Sequence, residues 1–137
     1  MHKQRTVVFL SAVTLFLSLA GFHGTAWSQT TQQRLAAPVV RMAQMSGTYI
    51  GLYKACGGDA REFRRHYEDR IRNEARDEAE RQLALGLLAS SIAQAEQGAG
   101  THMTPARRAE ACEETGATPW RDFAKIIDDG LAGKWRY

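Results

Sequence analysis

The sequence predicts an all-α protein, a small bundle of four or five helices that is closed by one disulfide and preceded by a cleavable signal peptide. Three observations support this prediction. Apolar residues recur at steps of three and four, as they do along one face of a helix. The alternating pattern and the turn dipeptides of β-hairpins do not occur. The chain has only two cysteines, and both follow the export signal.

The first 28 residues have the three-part pattern of a secretory signal. Lys3 and Arg5 form a basic start, an uncharged and mostly apolar stretch follows at 6–22, and the sequence 26–28 offers small residues to a signal peptidase. Cleavage before Gln29 is expected, with a rival position two residues earlier. The alternative is a permanent membrane anchor, but an apolar stretch of about 17 residues is at the lower limit for a span. We therefore expect a periplasmic protein that has no stable membrane anchor after cleavage.

Loss of residues 1–28 from the 137-residue chain leaves 109 residues, so residues 29–137 are expected to form a single helical domain. The full chain has 18 basic and 15 acidic side chains. Because Lys3 and Arg5 leave with the signal, 16 basic side chains then face 15 acidic ones, a net charge near +1. This balance argues against nucleic acid as a partner, since nucleic-acid binders neutralise many phosphates.

The two cysteines, Cys56 and Cys112, are expected to form a structural disulfide, because an exported protein folds in an oxidising compartment. A redox pair or half of a metal site are the alternatives. The cysteines are far apart in sequence, and His66 and His102 are the histidines that remain after cleavage. No metal and no cofactor are therefore expected.

The first helix of the domain is predicted to begin at Pro38, a residue suited to the first helical turn, and to end at Gly57-Gly58. Its apolar face is formed by residues three or four positions apart: Val39, Met42, Met45, Tyr49, Leu52 and Cys56. A second row, four residues apart, holds small residues: Ala43, Gly47, Gly51 and Ala55. We call this row the small-residue ridge. It could pack against Gly86 and Ser90 of a later helix, could contact another protein, or could be an accident of composition.

Residues 59–97 could be one helix or two, and a break is expected near Asn73. Asp59 is a candidate N-cap with Glu62 three residues later, and an apolar stripe follows; it consists of Phe63, Tyr67 and Ile71. The stretch from Gln82 to Ala95 carries no charge, which predicts that it forms the buried centre of the bundle.

A flexible connector is predicted at 98–100, where two glycines flank an alanine. Two helices are then expected to begin at Thr104-Pro105 and at Thr118-Pro119, each with a capping residue followed by proline. The first of them carries Cys112 and ends near Gly116. The second has an apolar arc formed by Trp120, Phe123, Ala124, Ile127 and Leu131, and it ends at Gly130 or Gly133.

No catalytic residues are predicted, because no nucleophile, base and orienting group occur in a recognisable pattern. His66 and His102 are isolated, and Ser46 and Ser90-Ser91 lie inside predicted helices without an elbow motif. Three aromatic residues could line a pocket between helices, although aromatic residues in this setting more often belong to the core. They are Tyr49, Tyr53 and Trp120.

The layout from Arg34 to Cys112, with a cysteine at the end of a helix and a second cysteine more than 50 residues later, resembles small exported two-cysteine helical proteins of uncharacterised function in Gram-negative bacteria. It also resembles helical periplasmic immunity proteins. Because no catalytic pattern is found, the leading expectation is a noncatalytic protein that binds another periplasmic protein or serves as an envelope accessory factor. The alternatives are a small-ligand carrier and, last, an enzyme.

Overall fold

A computed structural model describes residues 33–135 of the chain. This part is helical without strands, and from Ala36 onward it belongs to one compact unit. The five helices from Pro38 onward are α1 (Pro38–Ala55), α2 (Arg61–Glu74), α3 (Glu78–Thr101), α4 (Pro105–Ala117) and α5 (Trp120–Leu131). The all-α prediction is confirmed. The signal peptide predicted at 1–28 lies outside the described residues, and none of the helices described is both long enough and apolar enough to cross a membrane.

Helix α1 is the centre of the bundle, since α2, α3, α4 and α5 all pack against it. It begins at Pro38, as predicted. It ends where Gly57 adopts a positive φ of 82°, a conformation that favours glycine. The amide of Gly58 then donates to the carbonyl oxygen of Tyr53 at 3.0 Å, which satisfies one of the free carbonyls of the last turn.

The deeply buried side of α1 differs from the predicted apolar face. Met45, Tyr49 and Leu52 are only half-buried, whereas the ridge residues Gly47 and Gly51 are buried. The fully or nearly fully buried residues of this helix are Val39, Val40, Met42, Ala43, Ser46, Gly47, Ile50 and Gly51. The prediction was incomplete because apolar spacing alone does not show where a neighbouring backbone approaches closely.

Residues 59–97 form two helices, with an interruption at 75–77 that lies just after the predicted position near Asn73. The N-cap of α2 is Ala60, one residue later than expected, although an Asp59 carboxylate oxygen still accepts from the amide of Arg61 at 3.2 Å. Asp77 caps α3, since its side chain accepts from the amide of Glu80 at 2.7 Å. The predicted stripe of α2 is confirmed by the burial of Phe63, Tyr67 and Ile71.

The flexible connector predicted at 98–100 is wrong, because α3 continues through both glycines to Thr101. The Gly98 carbonyl accepts from the amide of His102, the C-cap residue, at 2.9 Å. A glycine inside a helix costs about 1 kcal/mol relative to alanine, a penalty that tertiary packing readily offsets. Ala99 lies between the two glycines and is only 5% exposed, so its burial helps to keep this turn helical.

Helix α4 begins as predicted, with Pro105 in its first turn and the Thr104 hydroxyl accepting from the amide of Arg107 at 3.3 Å. The matching prediction for α5 is wrong in detail. Pro119 is the N-cap of α5, and the Thr118 hydroxyl donates to the carbonyl of Glu114 at 2.9 Å, so it serves the end of α4 instead.

The C-terminal end of α5 is closed by a turn at Gly133, whose φ is 70°. The chain then folds back, so that the indole of Trp135 lies over Gly130 and its Nε1 donates to the carbonyl of Ile126 at 3.2 Å. A Cβ atom on Gly130 would lie 2.5 Å from the indole ring, so a larger residue at this position would displace Trp135.

Candidate interaction surface

The side of α3 that faces away from α1 is exposed and uncharged. Its exposed residues have the helical spacing four, three, four, three: Gly86, Ser90, Ala93, Gln97 and Gly100. We call this row the outer face of α3. Three further exposed residues border it, and they also lack charge: Gln82, Ala89 and Gln94. At 1.5 Å per residue, the stretch from Gln82 to Gly100 is about 27 Å long.

The outer face overturns the prediction that the uncharged stretch of α3 is the buried centre of the bundle. Only the opposite side is buried, by Ala84, Leu88 and Ile92. Added Cβ atoms at Gly86 and Gly100 would meet no neighbouring atom within 4 Å. A stretch whose composition is that of a buried helix is therefore open along one side.

The small-residue ridge of α1 packs within the protein, against α3. A Cβ atom at Gly47 would lie 2.6 Å from the Ser91 Cβ, and one at Gly51 would lie 2.5 Å from the carbonyl oxygen of Ile92. Ala43 is fully buried and Ala55 is half-buried.

The predicted contact residues for the ridge, Gly86 and Ser90, are wrong. Both are exposed, and Ser90 donates to the Leu87 carbonyl of its own helix at 3.1 Å. The ridge contacts the turn on the other side of α3, where Ser91 lies next to Ile92. Sequence spacing identified the close approach but not the face of α3 that receives it.

The three aromatic residues proposed to line a pocket are half-buried and stack around two phenylalanines instead of surrounding one cavity. Trp120 stacks on Phe63 with ring centroids 5.6 Å apart. Tyr53 meets the edges of both Phe63 and Phe123, at 6.1 and 6.0 Å, and Tyr49 lies 5.9 Å from Phe123. This aromatic cluster joins α1, α2 and α5.

A small apolar cleft of about 250 Å³ lies between α1, the start of α2 and α3. Ile50 and Ile92 contribute apolar walls. Lys54, Arg61 and Arg64 also line it. Each of these cations is already paired with a carboxylate of the protein, at 3.0, 2.6 and 2.7 Å respectively.

A second cleft, of about 430 Å³, is polar and lies beside Trp120. Asp59, Arg61, Glu62 and Arg65 complete its lining. Hydrogen bonds from the Arg61 side chain and amide lower the pKa of Asp59 to about 2, so this carboxylate stays ionised at neutral pH. The mixture of two carboxylates with two guanidinium groups gives the cleft no strong preference for an anion or a cation.

The candidate catalytic side chains are dispersed. His66 packs between the rings of Tyr67 and Trp120, with centroids 4.9 and 5.6 Å away, and His102 caps α3. The buried Ser46 hydroxyl donates to the Met42 carbonyl at 2.7 Å. Within the described part of the chain, no three histidine, cysteine or acidic side chains cluster in a way that could hold a metal ion.

The disulfide between Cys56 and Cys112 is present, as predicted, with the two Cα atoms 5.0 Å apart. It joins the end of α1 to α4, a helix without any buried residue. Arg108 makes the accompanying polar contact, since its guanidinium donates to the Ala55 carbonyl at 3.1 Å.

A contact that the sequence analysis missed holds α2 against α5. The Arg70 guanidinium pairs with Asp128 at 2.6 Å, and the buried Tyr67 hydroxyl donates to the Ala124 carbonyl at 3.3 Å. The spacing Tyr67, Arg70 on α2 and Ala124, Asp128 on α5 places both contacts along one side of each helix. The helical spacing of these residues can be read from the sequence. It predicts the two contacts only once α2 is known to pack against α5, which the sequence does not show.

Comparison of the chain with protein-family models, with curated proteins and with solved structures finds no match. The chemical properties of the surfaces are therefore the basis for a functional proposal. The outer face of α3 offers small side chains and amides, and the charged pair at its edge, Glu96 with Lys54, is already formed within the protein. Another surface could therefore pack on the face without desolvating an unpaired charge.

Proposed function

We propose that this chain is a small, exported, noncatalytic helical protein that binds another periplasmic protein through the outer face of α3. The observation that carries the proposal is that all eight exposed residues from Gln82 to Gly100 are uncharged. Glu96, which is half-buried at the edge of this face, is paired with Lys54 of α1 at 3.0 Å. Depletion of charged residues is a feature of the central part of protein interfaces, whereas a solvated helix face normally carries charged side chains.

The neighbouring surfaces provide the contrast. The exposed side of α2 carries ion pairs at helical spacing, such as Arg64 with Glu68 and Arg72 with Asp69. Exposed pairs of this kind stay hydrated and add little to stability. The two faces thus differ in composition although both are exposed, which favours α3 as the surface that another protein covers.

The periplasmic location is part of the proposal. The disulfide supports it, because lone pairs of cysteines are normally joined in oxidising compartments. The secretory pattern at 1–28 supports it independently, from the sequence.

The test is capture of partners from the producing cell's periplasm with three matched proteins: the wild-type chain, Ala93→Arg and Asn73→Arg. Both positions are exposed, so both variants are expected to fold like the wild type. Ala93 lies on the outer face of α3, whereas Asn73 lies on the charged side of α2. A partner held by the wild type and by Asn73→Arg, and lost by Ala93→Arg, supports the proposal. Equal capture by all three proteins would contradict it.

A small-ligand carrier is the second candidate, and the apolar cleft between Ile50 and Ile92 is the observation that favours it. Its volume of about 250 Å³ is below the range of about 300–1,000 Å³ that is usual for ligand pockets. Arg64→Trp would place a bulky side chain over this cleft from an exposed position on α2, and it leaves the outer face of α3 unchanged. Loss of a copurifying small molecule in that variant, with partner capture retained, would favour the carrier.

A further inference from the structure

Apart from its chain connections to α3 and α5, helix α4 is attached to the bundle by one covalent bond, the disulfide. This helix has no buried residue, and every residue from Thr101 to Glu110 is exposed. Ala111, Cys112 and Thr115 are half-buried on the side that faces α1. A segment with so few buried apolar contacts lies at the low end of local stability.

The polar contacts of α4 do not replace burial. Its capping hydrogen bonds are local: the Thr104 hydroxyl accepts from the amide of Arg107 at the start, and the Thr118 hydroxyl donates to the Glu114 carbonyl at the end. The described hydrogen bonds include one from α4 to the rest of the protein, from Arg108 to the Ala55 carbonyl, and it is exposed. An exposed hydrogen bond contributes little, because water replaces it when the helix separates.

The disulfide itself is accessible. Both cysteines are only half-buried. Cys112 lines an open cleft of about 350 Å³, together with Gly100, Met103 and Arg108. A thiolate that enters this cleft lies next to Arg108, whose positive charge attracts it, and next to Cys112. Accessible disulfides are the ones that exchange most readily with external thiols.

We infer that Cys56–Cys112 is a redox-responsive bond whose reduction by a dithiol releases α4 while the packed α1–α3 pair stays folded. One thiolate of the reductant attacks the Cys112 Sγ, the Sγ–Sγ bond breaks, and Cys56 leaves as a thiolate that takes a proton from water. The second thiol of the reductant loses its proton to water and attacks the reductant sulfur that is bonded to Cys112. That mixed disulfide breaks, and Cys112 leaves as a thiolate that takes a proton from water. The protein gains two thiols, and the reductant is oxidised to its own disulfide.

The α1–α3 pair keeps its structure because its contacts are independent of the disulfide. Gly47 and Gly51 lie in close backbone contact with residues 88–96 of α3. Leu88 and Ile50 are both about 1% exposed in the same interface. Reduction therefore removes the attachment of one helix and leaves the core of the bundle in place.

The experiment is hydrogen exchange of the exported chain, read by mass spectrometry before and after treatment with dithiothreitol under native conditions. Amides of α4 at 105–117 are expected to exchange on the order of 100-fold faster after reduction, whereas those of α1 and α3 change by roughly threefold or less. Trypsin is expected to cut after Arg107 or Arg108 only in the reduced protein, because release unfolds this exposed helix.

The control is the double variant Cys56→Ser/Cys112→Ser, which should show the fast exchange of α4 without any reductant and should not respond to dithiothreitol. Three outcomes would overturn the inference. The bond could resist dithiothreitol in the folded protein, α4 could stay protected after reduction, or α1 and α3 could lose protection together with α4. The double variant separates the last two outcomes from simple failure to reduce the bond.

Discussion

Helices α3 and α4 are attached to the same helix, α1, in opposite ways. Helix α3 packs so closely that a single added methyl group at Gly51 would lie 2.5 Å from a backbone oxygen. Helix α4 contributes no buried residue and is joined to α1 by a disulfide and one exposed hydrogen bond.

The difference shows that the strength of attachment and the area of contact are separate properties of a helix in a bundle. The α1–α3 contact is the sum of many dispersion contacts and buried side chains, which are lost together when the protein unfolds. The α4 contact is set by one bond, which redox chemistry can break without heat or denaturant. Three variants test this contrast, and a fourth compares it with a buried hydrogen bond between α2 and α5.

The largest effect is expected for Gly51→Leu. The new side chain has no space between α1 and α3, so the helices must separate, and the free energy of unfolding should fall by about 3 kcal/mol. Urea unfolding followed by circular dichroism measures this change. Gly86→Leu is the control, because a side chain at Gly86 meets open space and leucine favours the helix by roughly 0.5–1 kcal/mol over glycine. Equal effects of the two substitutions would refute the close contact.

The double variant Cys56→Ala/Cys112→Ala should have an intermediate effect. The chain-entropy model assigns roughly 4 kcal/mol to a bond that closes a loop of about 57 residues. Because α4 also gains freedom in the folded variant, we expect the free energy of unfolding to fall by only about 2 kcal/mol. Urea unfolding under non-reducing conditions gives the value. A loss of the full 4 kcal/mol, with α4 still protected from exchange, would show that α4 docks without the bond.

Tyr67→Phe tests a third kind of contact, a buried hydrogen bond between α2 and α5, and should cost about 1 kcal/mol at neutral pH. Burial raises the pKa of Tyr67 above its ordinary value of 10.0. The neutral form thus stabilises the folded state below pH 10, and this contribution is lost as the pH rises further. Urea midpoints measured at about pH 8 and about pH 11 should fall more in the wild type than in the variant. If the urea midpoint falls equally in both proteins, the loss of stability at alkaline pH comes from the ionisation of other groups.

The smallest effect is expected for Arg108→Ala, which removes the polar contact of α4 with α1. Since this hydrogen bond is exposed, the free energy of unfolding should fall by about 0.5 kcal/mol or less. Arg107→Ala is the matched control, because Arg107 neighbours it on the exposed helix. A loss above 1 kcal/mol for Arg108 alone would show that polar contacts, and not the disulfide, hold α4 in place.

The sequence was sufficient to predict the helical class, the disulfide and several helix ends, because these follow from local rules. Pro38 and Thr104-Pro105 begin helices by their own chemistry, and Gly57 ends one through its positive φ. The pairing of Cys56 with Cys112 needed no geometry, since the two are the only cysteines in the chain.

The predictions that failed depended on which neighbour a residue meets. The glycines at 98 and 100 stay helical because Ala99 is buried by packing that local sequence does not show. Thr118 bonds backward to Glu114, although its sequence context suits a forward cap. The outer face of α3 was expected inside the bundle because lack of charge indicates burial, without distinguishing a protein's own core from an interface with another protein.

The spacing of the two glycines on α1 also determines how far α1 can slide along α3. Gly47 meets Ser91 and Gly51 meets Ala95, so the two helices run in the same direction with a fixed offset. A shift by one turn would place Ala43 or Ala55 where a glycine now lies, and its methyl group would collide with the backbone of α3. The two glycines, flanked by two alanines, therefore allow one alignment of α1 with α3 and exclude the alignments shifted by one turn.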